Sequence, residues 1–288
     1  MHFLDTDKQA NNSKATLISA VVFVVTAIVG IGGGAQQFCV KFFNISPIFD
    51  LRAVHFQTFI TQLAFHLIPF AVGIGAIFFA AKKILGRSIG TLFGDTNKIF
   101  KKISVVILLY FLCFFSFLFF QKNNITSNVL PHSFAWISLV LVIFVVIQIT
   151  FEELLFRAFL PQILVGFGVK KVIGITFSAI IFGLLHSGNP EVLVYGKGLI
   201  LLYIFHGLFL GLLTYFDNSI WGALGYHFIN NFLAFWLVSS DEQVLQVPSL
   251  YHVTTENHSF FLMTVQILVT AITIIIAGFM LFKWKVKN

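Results

Sequence analysis

The sequence predicts an all-α protein that crosses a membrane several times. Three observations indicate this: the composition, the length of the apolar segments and the position of the basic residues. Of the 288 residues, 58% are hydrophobic and 10% are charged, and the mean hydropathy is +0.94. A soluble domain has about 45–50% apolar and about 25% charged residues. Because this chain cannot cover a globular surface with polar groups, we expect membrane lipid to be its solvent, in which helices satisfy their own backbone hydrogen bonds.

About eight apolar segments are long enough to cross a hydrocarbon core of about 30 Å, which takes about 20 helical residues. The fourth exceeds one perpendicular crossing, so we expect it to be tilted, or broken near Pro161. The first lacks the basic start and cleavage site of a signal peptide, and we interpret it as a transmembrane helix. The predicted spans are 15–35, 58–81, 103–121, 134–165, 171–187, 198–216, 219–238 and 260–282.

The basic residues predict the orientation. With eight spans and the N-terminus inside, 13 of the 18 Lys and Arg residues lie in cytoplasmic segments and four lie outside, while Arg157 lies within a span. This bias predicts that the N- and C-termini are both cytoplasmic. The net charge of +7 comes from residues at the ends of apolar runs, as in membrane anchors, and we therefore expect no nucleic-acid partner.

Three charged residues interrupt the fourth span: Glu152, Glu153 and Arg157. A charged residue at a membrane centre costs roughly 2.5–3.5 kcal/mol, so three unpaired ones would cost about 5–10 kcal/mol. A typical domain has a stability of about 5–15 kcal/mol. The three residues are therefore expected to be paired and to face the protein interior. Glu153 and Arg157 share a helix face at i and i+4, which leaves Glu152 free to face a cavity.

Two later spans carry histidines in polar company. His186 ends the fifth span, and His227 and Asn231 share one face of the seventh at i and i+4. A glutamate, two imidazoles and an amide can form a hydrolytic centre, in which the glutamate is a general base on water and the donors stabilise an oxyanion. His66 and His206 stand alone in apolar helices, and we expect both to be satisfied core residues.

Three motifs follow one another on separate helices: Glu-Glu-x-x-x-Arg at 152–157, Phe-x-x-x-His at 182–186 and His-x-x-x-Asn at 227–231. In this order they resemble the motifs of the CAAX protease and bacteriocin-processing (CPBP/Abi) family of intramembrane proteases, which includes the type II CAAX prenyl endopeptidases. The resemblance covers about residues 150–235. It divides the chain into 1–133, with three transmembrane helices and a basic cytoplasmic loop; 134–240, a CPBP-like catalytic core of helices four to seven; and 241–288, a loop and the C-terminal helix.

The resemblance also implies roles for the site residues. Glu152 would activate a water that His186 also holds, His227 and Asn231 would form the oxyanion site, and Glu153 and Arg157 would support them. The family has been described both as metalloproteases and as metal-independent glutamate proteases. Zinc could be held by Glu152, His186 and His227. Because the chain has no His-Glu-x-x-His pair, we favour the mechanism without a cofactor.

The expected function is therefore an intramembrane endopeptidase that acts on a membrane-associated protein or peptide, of which prenylated CAAX-type substrates are one class. One alternative is a non-catalytic membrane scaffold or bacteriocin-immunity protein. Another is a proton-coupled transporter that uses Glu152 in a relay, although the chain shows no inverted repeat. We expect a multi-pass protein of a bacterial inner membrane. Neither the substrate nor the oligomeric state follows from the sequence.

Overall fold

Helices make up most of the chain in the computed structural model, which describes residues 2–9, 12–121, 125–253 and 260–282. This confirms the predicted all-α class. The helices, in chain order, are α1 (Lys14–Phe43), α2 (Phe56–Ile84), α3 (Ile99–Gln121), α4 (Phe134–Gly166), α5 (Lys171–Leu185), α6 (Pro190–Tyr195), α7 (Gly198–Asp217), α8 (Trp221–Trp236) and α9 (Phe260–Phe282).

Six helices of the described chain are long and apolar enough to cross a membrane: α1 to α5 and α7. They match the first six predicted spans, so the chain is an integral, multi-pass membrane protein. The predicted seventh span is the 16-residue helix α8, whose length of about 24 Å is less than the hydrocarbon thickness. The predicted eighth span is α9, of which Ile267–Met280 is the apolar stretch found in the described part. The orientation of the termini stays a prediction, and residues 283–288 lie outside the described residues.

Helix α4 continues through Pro161 without the break that we considered from the sequence. The α-helical part Phe134–Glu153 is followed by a π-helical stretch, Leu154–Phe159, and then by Leu160–Gly166. Proline has no N–H to donate to the carbonyl four residues earlier, and a widened turn takes up the misfit before it. The charged residues predicted to be functional lie beside this turn, with Arg157 inside it.

Close contact between α5 and α7 depends on glycine. A side chain at Gly183 would place its Cβ 2.3 Å from Cγ1 of Ile204, and one at Gly207 would place it 3.1 Å from Cα of Ala179. Small residues of this kind allow helix backbones in membranes to approach closely. The contact sets the C-terminal end of α5, where His186 follows, beside the first turns of α7.

A small sheet joins the loops at one end of the helices. Strand β1 (Ile125–Ser127) pairs antiparallel with β3 (Tyr251–Val253), and β2 (Val238–Ser240) pairs parallel with β3. The strand order is β1-β3-β2. Because β2 follows α8 almost directly, the sheet fixes the end of the helix that carries His227. Strand β3 lies in a segment that the sequence predicts to be a loop.

The N-terminal segment, residues 2–9, packs into the protein instead of extending from it. Asp7 and Arg87 form an ion pair of 3.1 Å, with side chains 0% and 4% exposed. Gln162 of α4 donates to the carbonyl of Phe3 at 3.0 Å. Burial raises the pKa of Asp7, and the charge of Arg87 opposes that rise. The segment therefore covers the end of the helix that carries the predicted site.

Candidate active site

The two glutamates of the first motif lie at the junction between the α-helical and π-helical parts of α4. Glu152 is 8% exposed and Glu153 is fully buried. The Oε2 of Glu153 lies 3.4 Å from Nε of Arg157, so the pair expected from the i and i+4 spacing is present. The guanidinium of Arg157 also lies 4.6 Å from the ring of Phe182 on α5. The positive charge is thus held between a carboxylate and an aromatic face.

His227 of α8 bridges the two glutamates. Its Nδ1 lies 2.8 Å from Oε1 of Glu153 and, because a carboxylate accepts, Nδ1 is the donor. Its Nε2 lies 3.5 Å from Oε2 of Glu152. On the other side, Gln148 donates to Oε1 of Glu152 at 3.2 Å. Sequence reasoning missed Gln148, although its position four residues before Glu152 was a usable signal.

His186 follows the last residue of α5 and is half-buried. Its Nδ1 lies 2.7 Å from the carbonyl of Phe182 and must donate to it, which leaves Nε2 as an acceptor. The ring stacks on Tyr203 of α7 with centroids 4.4 Å apart. In the described residues, no hydrogen bond or ion pair joins His186 to Glu152 or His227. The ring of Phe182 connects them by contact, at 4.5 Å from His186 and 6.3 Å from His227.

Asn231 lies one turn beyond His227 on α8. Its Oδ1 accepts from Nδ2 of Asn230 at 3.0 Å, and Oδ1 of Asn230 accepts from the hydroxyl of Tyr110 at 2.9 Å. This chain orients the amide and leaves Nδ2 of Asn231 able to donate. The structure therefore brings Glu152, Glu153, Arg157 and His227 into direct contact, while His186 and Asn231 flank them.

His66 and His206 each meet half of the expectation that they are satisfied core residues. His66 bonds to the carbonyl of Ile48 at 3.0 Å but is only half-buried. His206 is 9% exposed, and in the described residues its Nε2 has no hydrogen-bond partner. Its ring lies 5.8 Å from that of His227. The sequence gives no sign that a lone histidine in an apolar helix will lie close to the residues of a site on other helices.

Buried polar atoms without hydrogen-bond partners concentrate at this site. Of 14 such atoms in the described residues, six belong to Gln148, Glu153, Arg157 and His206, and two of the six, Oε2 of Glu153 and Nε of Arg157, form the ion pair of 3.4 Å. They include both donors, on Arg157, and acceptors, on Gln148 and Glu153. A buried unsatisfied group costs about 1–3 kcal/mol, and such groups are usually bonded to ordered water. This mixed set of donors and acceptors suits a site that holds water.

The sequence names Glu152, His186 and His227 as the residues that could hold zinc. Within the described ranges, no group of three or more His, Cys, Asp or Glu side chains is arranged to hold a metal ion. Glu152 and His227 approach each other, whereas no hydrogen bond or ion pair of the described residues joins His186 to either of them. The mechanism without a metal stays a proposal.

Comparison with known proteins identifies the domain that carries this site. Residues 134–233, about a third of the chain, match the family model described as "Type II CAAX prenyl endopeptidase Rce1-like". This confirms the resemblance drawn from the three motifs, all of which lie within the matched residues. The chain is also similar to the uncharacterized protein YyaK of Bacillus subtilis (strain 168), with 26% identity over 270 residues, which cover 87% of this chain and 88% of that protein. No solved structure matches the chain.

Proposed function

We propose that this membrane protein, whose residues 134–233 carry a Rce1-like domain, is an intramembrane endopeptidase that hydrolyses its substrate with a water activated by Glu152. One observation carries the proposal: His227 of α8 lies between Glu152 and Glu153 of α4, with its two ring nitrogens 3.5 Å and 2.8 Å from their carboxylates. A purely structural ion pair needs only Glu153 and Arg157. The additional carboxylate of Glu152 supplies a base, and the imidazole of His227 beside it supplies a hydrogen-bond donor.

The proposed cycle begins from an electrically neutral site. Glu152, Glu153 and Arg157 together carry one negative charge, and all three are buried. An uncompensated charge in such a place is expensive, because desolvation of an ion costs several kcal/mol. A doubly protonated His227 makes the group neutral and gives each carboxylate a donor. In this state Nε2 of His227 carries a proton that faces Glu152 and the reacting carbonyl.

The attack follows from these positions. The carboxylate of Glu152 takes a proton from water as the water oxygen forms a bond to the scissile carbonyl carbon. His186 orients the same water through Nε2, which is an acceptor because Nδ1 donates to Phe182. Gln148 holds the other oxygen of Glu152, so that the oxygen nearer to His227 is the one that reacts. Because the site holds the water next to its base, the two need not meet by diffusion, and this lowers the entropic part of the barrier.

The negative charge that forms on the carbonyl oxygen needs donors. His227 provides Nε2–H, and Asn231 provides its amide N–H one turn along α8. Each donor of this kind is worth about 3–4 kcal/mol of the barrier. The proton on Glu152 then passes to the leaving amine nitrogen as the C–N bond breaks. The products are a carboxylic acid and an amine, and Glu152 is again ionised.

The proposed substrate is a peptide that is itself anchored in the membrane. The site lies on helices that cross the membrane, so a substrate must enter the lipid or be held at its surface. Because the matched family is described as CAAX prenyl endopeptidases, a prenylated CAAX-type peptide is the first substrate to test. A prenyl group would hold such a peptide in the lipid near the catalytic helices.

The test compares Glu152→Gln with the wild type in proteoliposomes that contain a fluorogenic, prenylated CAAX peptide. Glutamine keeps the shape and cannot accept the proton, so the rate should fall by about 10²–10⁴-fold. Glu242→Gln is the matched control, because Glu242 is also buried but bonds to Tyr195 outside the site. Equal cleavage by wild type and Glu152→Gln would refute the proposal.

A further inference from the structure

Tyr203 stands out among the residues beside the site because none of the three sequence motifs includes it. It lies on α7, half-buried, with its ring stacked on that of His186 at 24°. Tyr203 is thus in direct contact with the histidine that is proposed to orient the water.

His186 needs such support because the helix ends there. Helix α5 ends at Leu185, and His186–Gly188 form a single 3-10 turn. The hydrogen bond from Nδ1 to the carbonyl of Phe182 fixes one edge of the ring. Nothing in that bond fixes the rotation of the ring about it. The stacked face of Tyr203 restricts this rotation, and therefore sets the direction of the Nε2 lone pair.

Tyr203 is in turn anchored at its hydroxyl. The hydroxyl donates to Oε1 of Glu191 on α6. Asn189 donates to the same oxygen of Glu191 at 2.9 Å and to the Tyr203 hydroxyl at 3.4 Å. Two segments that are separate in the chain, α6 and α7, are thereby joined around the histidine. A charged acceptor makes such a bond stronger and shorter than a neutral one.

We infer that Tyr203, anchored by Glu191, is a positioning residue that holds His186 in the orientation needed to direct the attacking water. The inference rests on the proposed function. It places a second carboxylate, Glu191, in a role that is distinct from that of the base. Because His186 acts on water and not on the peptide, loss of its orientation should lower kcat and leave KM unchanged.

The experiment measures kcat and KM of four variants with the prenylated peptide. Tyr203→Phe keeps the ring but loses the anchor, and kcat should fall roughly 10-fold; Tyr203→Ala loses the stack as well, and kcat should fall roughly 100-fold. Glu191→Ala should match Tyr203→Phe, whereas Glu191→Gln keeps an accepting oxygen and should retain more activity than Glu191→Ala. Tyr195→Phe is the control, because it removes another Tyr–Glu contact without touching His186.

The hydroxyl of Tyr203 and the carboxylate of Glu191 should act as one unit. The double variant Tyr203→Phe/Glu191→Ala should therefore be no slower than either single variant, since both break the same bond. An active wild type together with an unchanged kcat for Tyr203→Phe would overturn the inference and leave the proposed function standing. Equal activity of wild type and Glu152→Gln would instead overturn the proposed function.

A measurement that needs no turnover completes the design. The ring of Tyr203 shifts the NMR signals of the His186 ring stacked on it, so these signals report the orientation of His186. They should be the same in the wild type and in Glu191→Gln, and should shift and broaden in Tyr203→Phe and Glu191→Ala. Identical His186 signals in all four proteins would overturn the positioning role whatever the substrate.

Discussion

Removal of the arginine from the buried cluster should destabilise the protein strongly. Arg157 lies 3.4 Å from Glu153, with side chains 1% and 0% exposed. At an effective dielectric constant of about 20, two unit charges at that distance attract each other by about 5 kcal/mol. Arg157→Met keeps much of the apolar side-chain volume and deletes the charge. Among the described residues, Glu153 then keeps its contact with His227 and has no arginine beside it.

The expected loss of stability is about 3–5 kcal/mol, the range found when one partner of a buried pair is removed. For a chain of this size, each kcal/mol lowers Tm by roughly 2–4 °C, which gives a fall of roughly 6–20 °C. The assay is thermal stability in detergent, read as the fraction that stays monodisperse in size-exclusion chromatography after heating. Lys197→Met is the matched control, because Lys197 is exposed and its loss should change stability by about 0.5 kcal/mol or less.

A second variant separates loss of the charge pair from loss of packing. If an unpaired Glu153 causes the damage, then Arg157→Met/Glu153→Gln should be more stable than Arg157→Met alone. If lost contact with Phe182 causes it, the double variant should be no better. A wild-type Tm for Arg157→Met would refute the reasoning altogether, since it would mean that the buried charge needs no partner.

Three further predictions follow from other parts of the structure. Activity should survive prolonged treatment with a zinc chelator and removal of the chelated metal, and a loss that added zinc restores would contradict the metal-free proposal. The hydrogen bonds from Arg52 lower the pKa of Asp50 and of Asp241, so their stabilisation is present above about pH 4 and is lost as the pH falls further. Wild type should therefore be more stable than Arg52→Gln by only about 1 kcal/mol near neutral pH. The corresponding difference in Tm should shrink as the pH falls below about 4, and a difference that does not change with pH would contradict the prediction. Asp7→Asn leaves Arg87 buried without its charged partner, so it should cost about 3 kcal/mol in thermal stability, and an unchanged Tm would show that the N-terminal segment adds little.

The long spans were predictable because lipid imposes a length and a composition on every crossing helix. The same rule wrongly predicted that α8 crosses the membrane, because the apolar composition of α8 reflects burial against other helices. A 16-residue helix surrounded by protein needs no lipid-length run, and periodicity does not distinguish the two cases. The packing of the N-terminal segment was not predictable from local sequence, because the partner of Asp7 is Arg87, a residue about 80 positions away.

The site was predictable to the extent that its contacts are local. The pair of Glu153 and Arg157 follows from helical spacing alone. The bridge from His227 to both glutamates does not, because it depends on the depth and rotation of α8 relative to α4. His206 and Tyr203 were missed on the same grounds. They lie three residues apart on α7, and their contacts with His186 and His227 depend on how α7 packs against α5 and α8.

Charge transfer within the proposed cycle explains why a buried site can carry so many ionisable groups. In the resting state two carboxylates face Arg157 and a protonated His227, and the sum is zero. When Glu152 takes the proton from water, its negative charge disappears as one forms on the carbonyl oxygen, beside the same Nε2–H of His227. The negative charge is moved by a few ångströms and is not created in an apolar medium, so the desolvation cost is nearly the same before and after the step. A site that worked by a neutral base would have to separate new charges at that depth. It follows that the substrate carbonyl must approach the Glu152 side of His227, because Nδ1 on the other side is already bonded to Glu153.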